Sequence, residues 1–227
     1  MTDWDAFIES VPWFLAQGSA VSIGTSQQGA ELCQGVRAKF PHLSALLDHA
    51  TVTHVAVDDS RYELCSWNSI NGYRVGWLCM PPAQGDNTGL FPDHQLLLRS
   101  FGGIVERSNE PEGTWLLNLN DFLTLREASN DGSFIEDYRW AFDDAETDIP
   151  IELSDYYSVS REANGNTTLC HRQTGAVILF APDHFFDHIT VIPGCPEYTL
   201  YEIDGAICFV DWVETIARQW SANVEDA

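Results

Sequence analysis

The stretch PDHQLLLRSFGG, residues 92–103, carries much of the information about the fold. It predicts a short helix, because proline is favoured at the first helical position and glycine just beyond the last. Three consecutive leucines and Phe101 form the apolar face of this helix. Gly102 or Gly103 should supply a positive φ at the helix terminus, and the missing side chain should let the sheet approach closely.

Two further patterns follow in the second half of the chain. The stretch NGNTTLCHRQTGAVILFAPDH, residues 164–184, predicts a β-hairpin with strands at 167–172 and 176–181 and a turn that contains Gly175. Near the end, apolar residues recur at spacings of three and four, which predicts an amphipathic helix. These residues are Phe209, Trp212, Val213, Ile216 and Trp220.

This order of elements over residues 92–220 resembles the SUKH superfamily, which is named in part for a fungal cell-wall synthesis regulator and dominated by bacterial immunity proteins. The best-matched parts are the glycines after Phe101, the hairpin at 165–175, the pair Asp183-His184 and the helix with Trp212. The resemblance implies an α+β fold with a largely antiparallel, curved sheet and helices packed around it. It also implies an antidote that binds a polymorphic toxin.

Residues 1–85 precede the matched part and predict an N-terminal α/β extension or subdomain. The pattern indicates an initial helix over residues 3–15, with a capping arrangement of Thr2 and Asp5, and a hairpin around Asn71-Gly72. Between them, residues 18–29 form a Gly-, Ser- and Gln-rich stretch with a short apolar piece at 21–23. The aperiodic segment PPAQGDNTG at 81–89 is the predicted boundary before a SUKH-like domain at 90–222.

The chain carries a net charge of -23, from 34 acidic and 11 basic residues. Residues 91–227 hold 25 of the acids and 7 of the bases. Such a surface disfavours nucleic acid as a ligand and favours rapid encounter with a basic protein. The alternative is that the charge only keeps the protein dispersed.

Cysteine usage and hydropathy bear on the compartment. The six cysteines, at 33, 65, 79, 170, 195 and 208, show no CxxC pair and are expected to be free core thiols. The first residues are acidic where a signal peptide needs Lys or Arg, and no apolar stretch reaches the length of a membrane span. We therefore expect a cytoplasmic protein with no membrane partner and no cofactor.

Acidic side chains are the candidate partner-binding residues. A capping box of Ser133 and Glu136 predicts a helix whose far end runs into a cluster of acids. Carboxylates on one face can imitate phosphates and occupy a basic cleft. The alternative is a solvated loop. The predicted binding residues are Asp143, Asp144, Glu146, Asp148, Asp183 and Asp187.

Signs of catalysis or metal binding are weak. His184 and His188 are four residues apart and could ligate zinc on a helix, but the HExxH glutamate is missing. Cys170 and His171 are adjacent in a predicted strand, so their side chains point to opposite faces and cannot form a dyad. We expect no enzyme and no metal site.

Three functions remain open at this level. The first is an immunity protein that neutralises a cognate toxin domain, possibly a nuclease, by stoichiometric binding. The second is a regulatory or scaffold module of SUKH type. The third is a hydrolase with an unrecognised site near His184.

Overall fold

The computed structural model of the protein describes residues 2–83, 87–110, 119–183 and 187–225, with the backbone alone at 119 and 120. Within these ranges the strands are β1 (Val21–Gln28), β2 (Thr51–Val57), β3 (Ser60–Asn68), β4 (Arg74–Cys79), β5 (Ile104–Ser108), β6 (Leu119–Phe122), β7 (Tyr156–Glu162), β8 (Thr167–His171), β9 (Val177–Phe180), β10 (Ile189–Val191) and β11 (Leu200–Ile203). The α-helices are α1 (Asp3–Ser10), α2 (Gln34–Lys39), α3 (Pro41–Asp48), α4 (Pro92–Leu98), α5 (Leu125–Ala128), α6 (Arg139–Asp144) and α7 (Phe209–Ser221). Two 3₁₀ turns, Gly132–Tyr138 and Leu153–Asp155, precede α6 and β7.

All the described strands belong to one open antiparallel sheet. Its order follows the chain from β1 to β9 and then ends with β11 and β10. Register shifts interrupt four of the pairings, including β4 with β5 and β7 with β8. Such bulges bend and twist a sheet. The prediction of an α+β fold with an antiparallel sheet is confirmed.

The sheet continues across the segment at 81–89. Strand β4 lies before it and β5 after it, and the two pair with Gly76 opposite Ser108. The largest core cluster likewise joins residues from both parts, such as Phe40 and Trp212. Residues 1–85 and 90–222 therefore share a sheet and a core, and their division into separate units stays a prediction.

Three tryptophans form the centre of this core. The ring centroids of Trp67 and Trp77 are 5.0 Å apart, and Trp220 lies 4.8 Å from Trp77 and 5.8 Å from Trp67. Trp67 Nε1 also donates a hydrogen bond to Leu46 O at 2.9 Å. Helix α7 thus packs on β3 and β4, and its predicted apolar stripe is buried throughout.

A buried carboxylate joins α7 to α3. Glu214 is 5% exposed, and its two oxygens accept hydrogen bonds from His42 N at 2.9 Å and Leu43 N at 3.0 Å. These N–H groups belong to the first turn of α3, where no intrahelical partner exists. Because Phe40, at the N-cap, provides no side-chain cap, a residue more than 170 positions away does so.

His94, in α4, is completely buried within a chain of hydrogen bonds. Its Nε2–H donates to Leu123 O at 3.0 Å, and its Nδ1 accepts from Tyr157 Oη at 3.0 Å. Tyr157 Oη in turn accepts from Phe91 N at 3.3 Å. Burial lowers the pKa of His94 to about 4, so the imidazole is neutral. The ring stacks on Phe209 at 5.0 Å and ties α4 to the sheet and α7.

The double glycine lies between α4 and β5. Gly103 has φ 86°, and a Cβ there would be 2.5 Å from Phe122 O. A Cβ on Gly102 would be 2.2 Å from Pro81 O. The predicted positive φ and close backbone approach are confirmed, but the helix ends at Leu98, so the glycines follow it rather than cap it.

The N-terminal part differs from prediction in two elements. Thr2 and Asp5 form the expected capping box of α1, but that helix ends at Ser10, shortly before Pro12, instead of reaching residue 15. The polar stretch at 18–29, however, contains an edge strand, β1, with every residue exposed. Polar residues suffice there because this strand covers no core.

The cysteines and helices bear on the remaining expectations. All six cysteines are free, but only Cys65, Cys79 and Cys170 are buried, whereas Cys33 is exposed. The expectation of six core thiols is thus wrong for the others, which lie in loops or at helix starts. None of the described helices combines the length and hydropathy required to cross a bilayer.

Candidate partner-binding site

The predicted acid cluster lies at the end of α6. Asp143, Asp144, Glu146 and Asp148 are all exposed. The turn that carries them is fixed, because Glu146 N donates to Asp143 O and Thr147 N donates to Phe142 O, both at 3.0 Å. The buried ring of Phe142 anchors α6 in the core.

These carboxylates have no evident role in stabilising α6. Negative charge at the C-terminal end of a helix opposes the helix dipole. Within the described residues, no Lys or Arg lies at ion-pair distance from the four acids. Arg139 is the nearby base, and it binds Glu136 through contacts of 2.7 and 2.8 Å. This ion pair raises the pKa of Arg139, with Asp143 and Asp148 adding to the effect.

The start of this segment corrects one prediction. Asp131 is the N-cap, and its side chain accepts from Ser133 N at 3.0 Å. Ser133 and Glu136 therefore do not form a capping box, because Glu136 turns to Arg139 instead. The chain first makes a 3₁₀ turn and only then an α-helix.

A depression of about 250 Å³ adjoins the acid cluster. Two large aromatic side chains on it are exposed, Trp140 at 62% and Tyr198 at 46%. Its walls come from three parts of the chain and comprise Tyr138, Trp140, Ala141, Asp144, Pro182, Pro196, Glu197 and Tyr198. We call these residues, together with Asp143, Glu146 and Asp148, the acidic aromatic face.

Two contacts fix the shape of this face. Thr147 Oγ1 donates to Gly194 O at 2.8 Å, which ties the acidic turn to the turn before β11. Tyr198 has φ 63°, a left-handed conformation that is rare for a bulky residue. Its N–H donates to Tyr201 Oη at 2.7 Å, which holds this backbone in place. Strained backbone of this kind clusters at functional sites.

The six predicted binding residues fall into two groups. Four of them, Asp143, Asp144, Glu146 and Asp148, belong to the acidic aromatic face. Asp183 is exposed and directly follows Pro182, which lines the depression. Asp187 is also exposed, but it is not among the described residues that line the depression. Binding by all six stays a prediction.

Sequence reasoning missed the aromatic part of this face. Phe134, Tyr138 and Phe142 recur every four residues and belong to one core cluster, although Tyr138 also lines the depression, whereas Trp140 falls between them in sequence and is exposed. The position of Trp140 outside this four-residue repeat was the sequence pattern that indicated an exposed tryptophan. Glu197 and Tyr198 are more than fifty residues away, so only the fold brings them to Trp140.

Within the part of the chain that the structure describes, the histidine and cysteine candidates give no assembled site. His184 lies outside the described residues, and His188 is exposed with φ 75°. Among the described side chains, no three of His, Cys, Asp and Glu are grouped to hold a metal ion. Burial raises the pKa of Cys170 to about 12, so its sulfur is a thiol at neutral pH rather than a nucleophilic thiolate.

Comparison with known proteins gives no relative: no family model, no curated protein and no solved structure matches the chain.

Proposed function

We propose that this protein is an immunity protein, which binds a basic toxin domain stoichiometrically through the acidic aromatic face. The observation that supports this proposal is the pair of exposed rings, Trp140 and Tyr198, beside exposed carboxylates that form no ion pair with a Lys or Arg of the described residues. Exposed tryptophan and tyrosine are typical anchors of binding hot spots. The neighbouring carboxylates add electrostatic attraction for a basic surface.

The proposed mechanism is occlusion without chemistry. A nuclease binds phosphates through a basic cleft, and the carboxylates at 143–148 present a comparable row of negative charge. Because the turn is fixed by backbone hydrogen bonds, little conformational entropy is lost on binding. The aromatic rings then slow dissociation.

The proposal includes membership of the SUKH superfamily and a cytoplasmic location. Helix α4, the β8–β9 hairpin and helix α7 follow one another in the order that resembles the SUKH superfamily. The six free cysteines suit the reducing cytoplasm. The charge of -23 disfavours nucleic acid and anionic lipid as partners.

Co-expression with toxin-domain candidates encoded next to this gene tests the proposal. We expect rescue of growth and a one-to-one complex. Association should be fast and should slow markedly with added salt, because charge steers the encounter. A candidate that is harmless when expressed alone, yet binds, would instead indicate a regulatory or scaffold module.

Two sets of variants locate the contact. Neutralising Asp143, Asp144, Glu146 and Asp148 as Asn or Gln should lower the association rate by ~10-fold or more and flatten its salt dependence. The matched control neutralises four exposed acids elsewhere, Glu9, Glu31, Asp59 and Glu225, with the same change in net charge. Equal effects of both sets would place the contact off the acidic aromatic face.

Trp140→Ala tests the aromatic anchor. It should weaken binding by about 2 kcal/mol, chiefly through faster dissociation. The matched control is Trp13→Ala. Trp13 is 70% exposed, is far from Trp140 in sequence and donates its indole N–H to Glu106, which is not part of the acidic aromatic face. A dissociation rate unchanged by Trp140→Ala would exclude the ring as an anchor.

A further inference from the structure

Strand β1 is a long, bare edge of the sheet. It pairs with β2 alone among the described strands, and all eight of its residues are exposed. The opposite edge, β10, is only three residues long and follows Asp187 closely. Proteins usually protect edge strands by short length, charge, proline or a bulge. β1 has none of the first three, and its register shift between Ile23 and Ser26 leaves the pairing of residues 21–23 with β2 regular.

The outward backbone groups of β1 can be assigned from the ladder. Asp58 N donates to Ala20 O at 2.8 Å, at one end of the pairing with β2. Since antiparallel ladders alternate, Val21 and Ile23 then direct their N–H and C=O groups away from β2. No hydrogen bond from another described backbone group reaches them. These groups are free to pair with a further strand.

The edge is also without charge. Residues 10–30 form a run of 21 positions that contains no Asp, Glu, Lys, Arg or His, in a chain of net charge -23. Two copies of such a chain repel each other over most of their surface. Residues 21–28 bring no carboxylate of their own into such a contact, and the Asp58 carboxylate at the start of the strand accepts a hydrogen bond from Ala20 N at 2.9 Å. A basic partner, in contrast, would gain no electrostatic attraction there.

We propose that β1 pairs in antiparallel fashion with β1 of a second copy of this chain, so that two sheets join into one. A two-fold axis makes such a contact self-complementary, because one strand supplies both sides. The exposed side chains of Val21, at 37%, and Ile23, at 46%, become partly covered. The pairing is independent of the proposed function, since β1 and β11 lie near opposite ends of the strand order.

Sedimentation velocity over a concentration series tests the pairing. The full chain should form a dimer. Ile23→Pro removes an N–H that β2 does not use, and edge strands tolerate proline at such positions. Ile23→Glu adds like charges across the two-fold axis. Each variant should raise the dimer dissociation constant by ~10-fold or more, as lost ladder bonds and opposed charges require.

The matched control is Ile207→Glu, which adds the same charge at an isoleucine that is 65% exposed and remote from β1 in sequence. It should remain a dimer. Hydrogen exchange adds a second readout, since the amides of Val21 and Ile23 should be protected in the dimer and not in Ile23→Glu. A chain that stays monomeric at all concentrations overturns the proposal, and so do dimers that both Ile23 variants retain. If the parent chain is monomeric and these variants lose binding to a toxin-domain candidate, then β1 is the binding site of that partner. This result would also overturn the proposed dimer.

Discussion

His94 joins α4, β7 and the end of β6 through hydrogen bonds that only a neutral imidazole can make. Leu123 O requires an N–H donor, and Tyr157 Oη, which accepts from Phe91 N, donates to the other ring nitrogen. Protonation of Nδ1 would remove the acceptor of the Tyr157 hydroxyl, so this hydrogen bond would be lost or would have to reverse its direction. The helix pattern around residues 92–103 gave no sign of this role.

The low pKa of His94 predicts a loss of stability in mild acid. Its pKa is about 4 in the folded chain and about 6.5 in an unfolded one, so the unfolded state binds the proton first. The stability that depends on the neutral imidazole is fully present above pH 6.5. It is lost as pH falls from 6.5 towards 4, because over this range only the unfolded state gains the proton. Between pH 7 and pH 5 the free energy of unfolding should fall by about 2 kcal/mol from this group.

Urea unfolding at the two pH values measures this loss. His94→Gln should be less stable at pH 7 but should lack the acid-dependent part that the parent chain shows. The matched control is His42→Gln, which replaces an exposed histidine and should keep the parent difference. An identical pH response in His94→Gln and the parent chain would rule out His94 as the cause.

At the scale of elements, the connection from α4 to β5 depends on glycine. In Gly103→Ala the new Cβ meets Phe122 O and the backbone at Leu123 and Thr124, none of which can move aside cheaply. We expect a loss of roughly 3 kcal/mol or more in unfolding free energy, from overpacking together with the positive φ.

Gly165→Ala is the matched control, because Gly165 has φ 93° and no atom within 4 Å of a Cβ. It should cost only about 1 kcal/mol, the strain of the left-handed backbone. Equal losses in the two variants, measured by urea unfolding, would show that close packing at Gly103 contributes nothing.

Elements with local signals could be predicted from the sequence, and the others could not. The β8–β9 hairpin, α4 and α7 follow from apolar periodicity and turn residues that lie within a few positions. β1 lacks such a pattern, since VSIGTSQQ is mostly polar and becomes a strand by pairing with β2, more than twenty residues away. The acids of the candidate site stand out as a run, whereas the depression depends on Pro182 and Pro196 meeting α6.

At the scale of the whole molecule, the first and second halves should unfold together. The Trp67–Trp77–Trp220 cluster and the Glu214 cap on α3 both join parts that the predicted boundary separates. We expect tryptophan fluorescence and far-ultraviolet circular dichroism to report one coincident transition in urea. Two separated transitions would instead show that residues 1–85 and 90–222 are independent units.

The sheet order also has a consequence for the chain during its synthesis. Since β1 to β9 pair in the order in which they leave the ribosome, each hairpin can form soon after its second strand emerges. Helix α7 is made after all the described strands, yet it covers Trp67 and Trp77. Until this helix is made, the nascent sheet presents an uncovered aromatic surface, and exposed apolar surface of this kind makes a partly folded chain prone to aggregation and a target for chaperones.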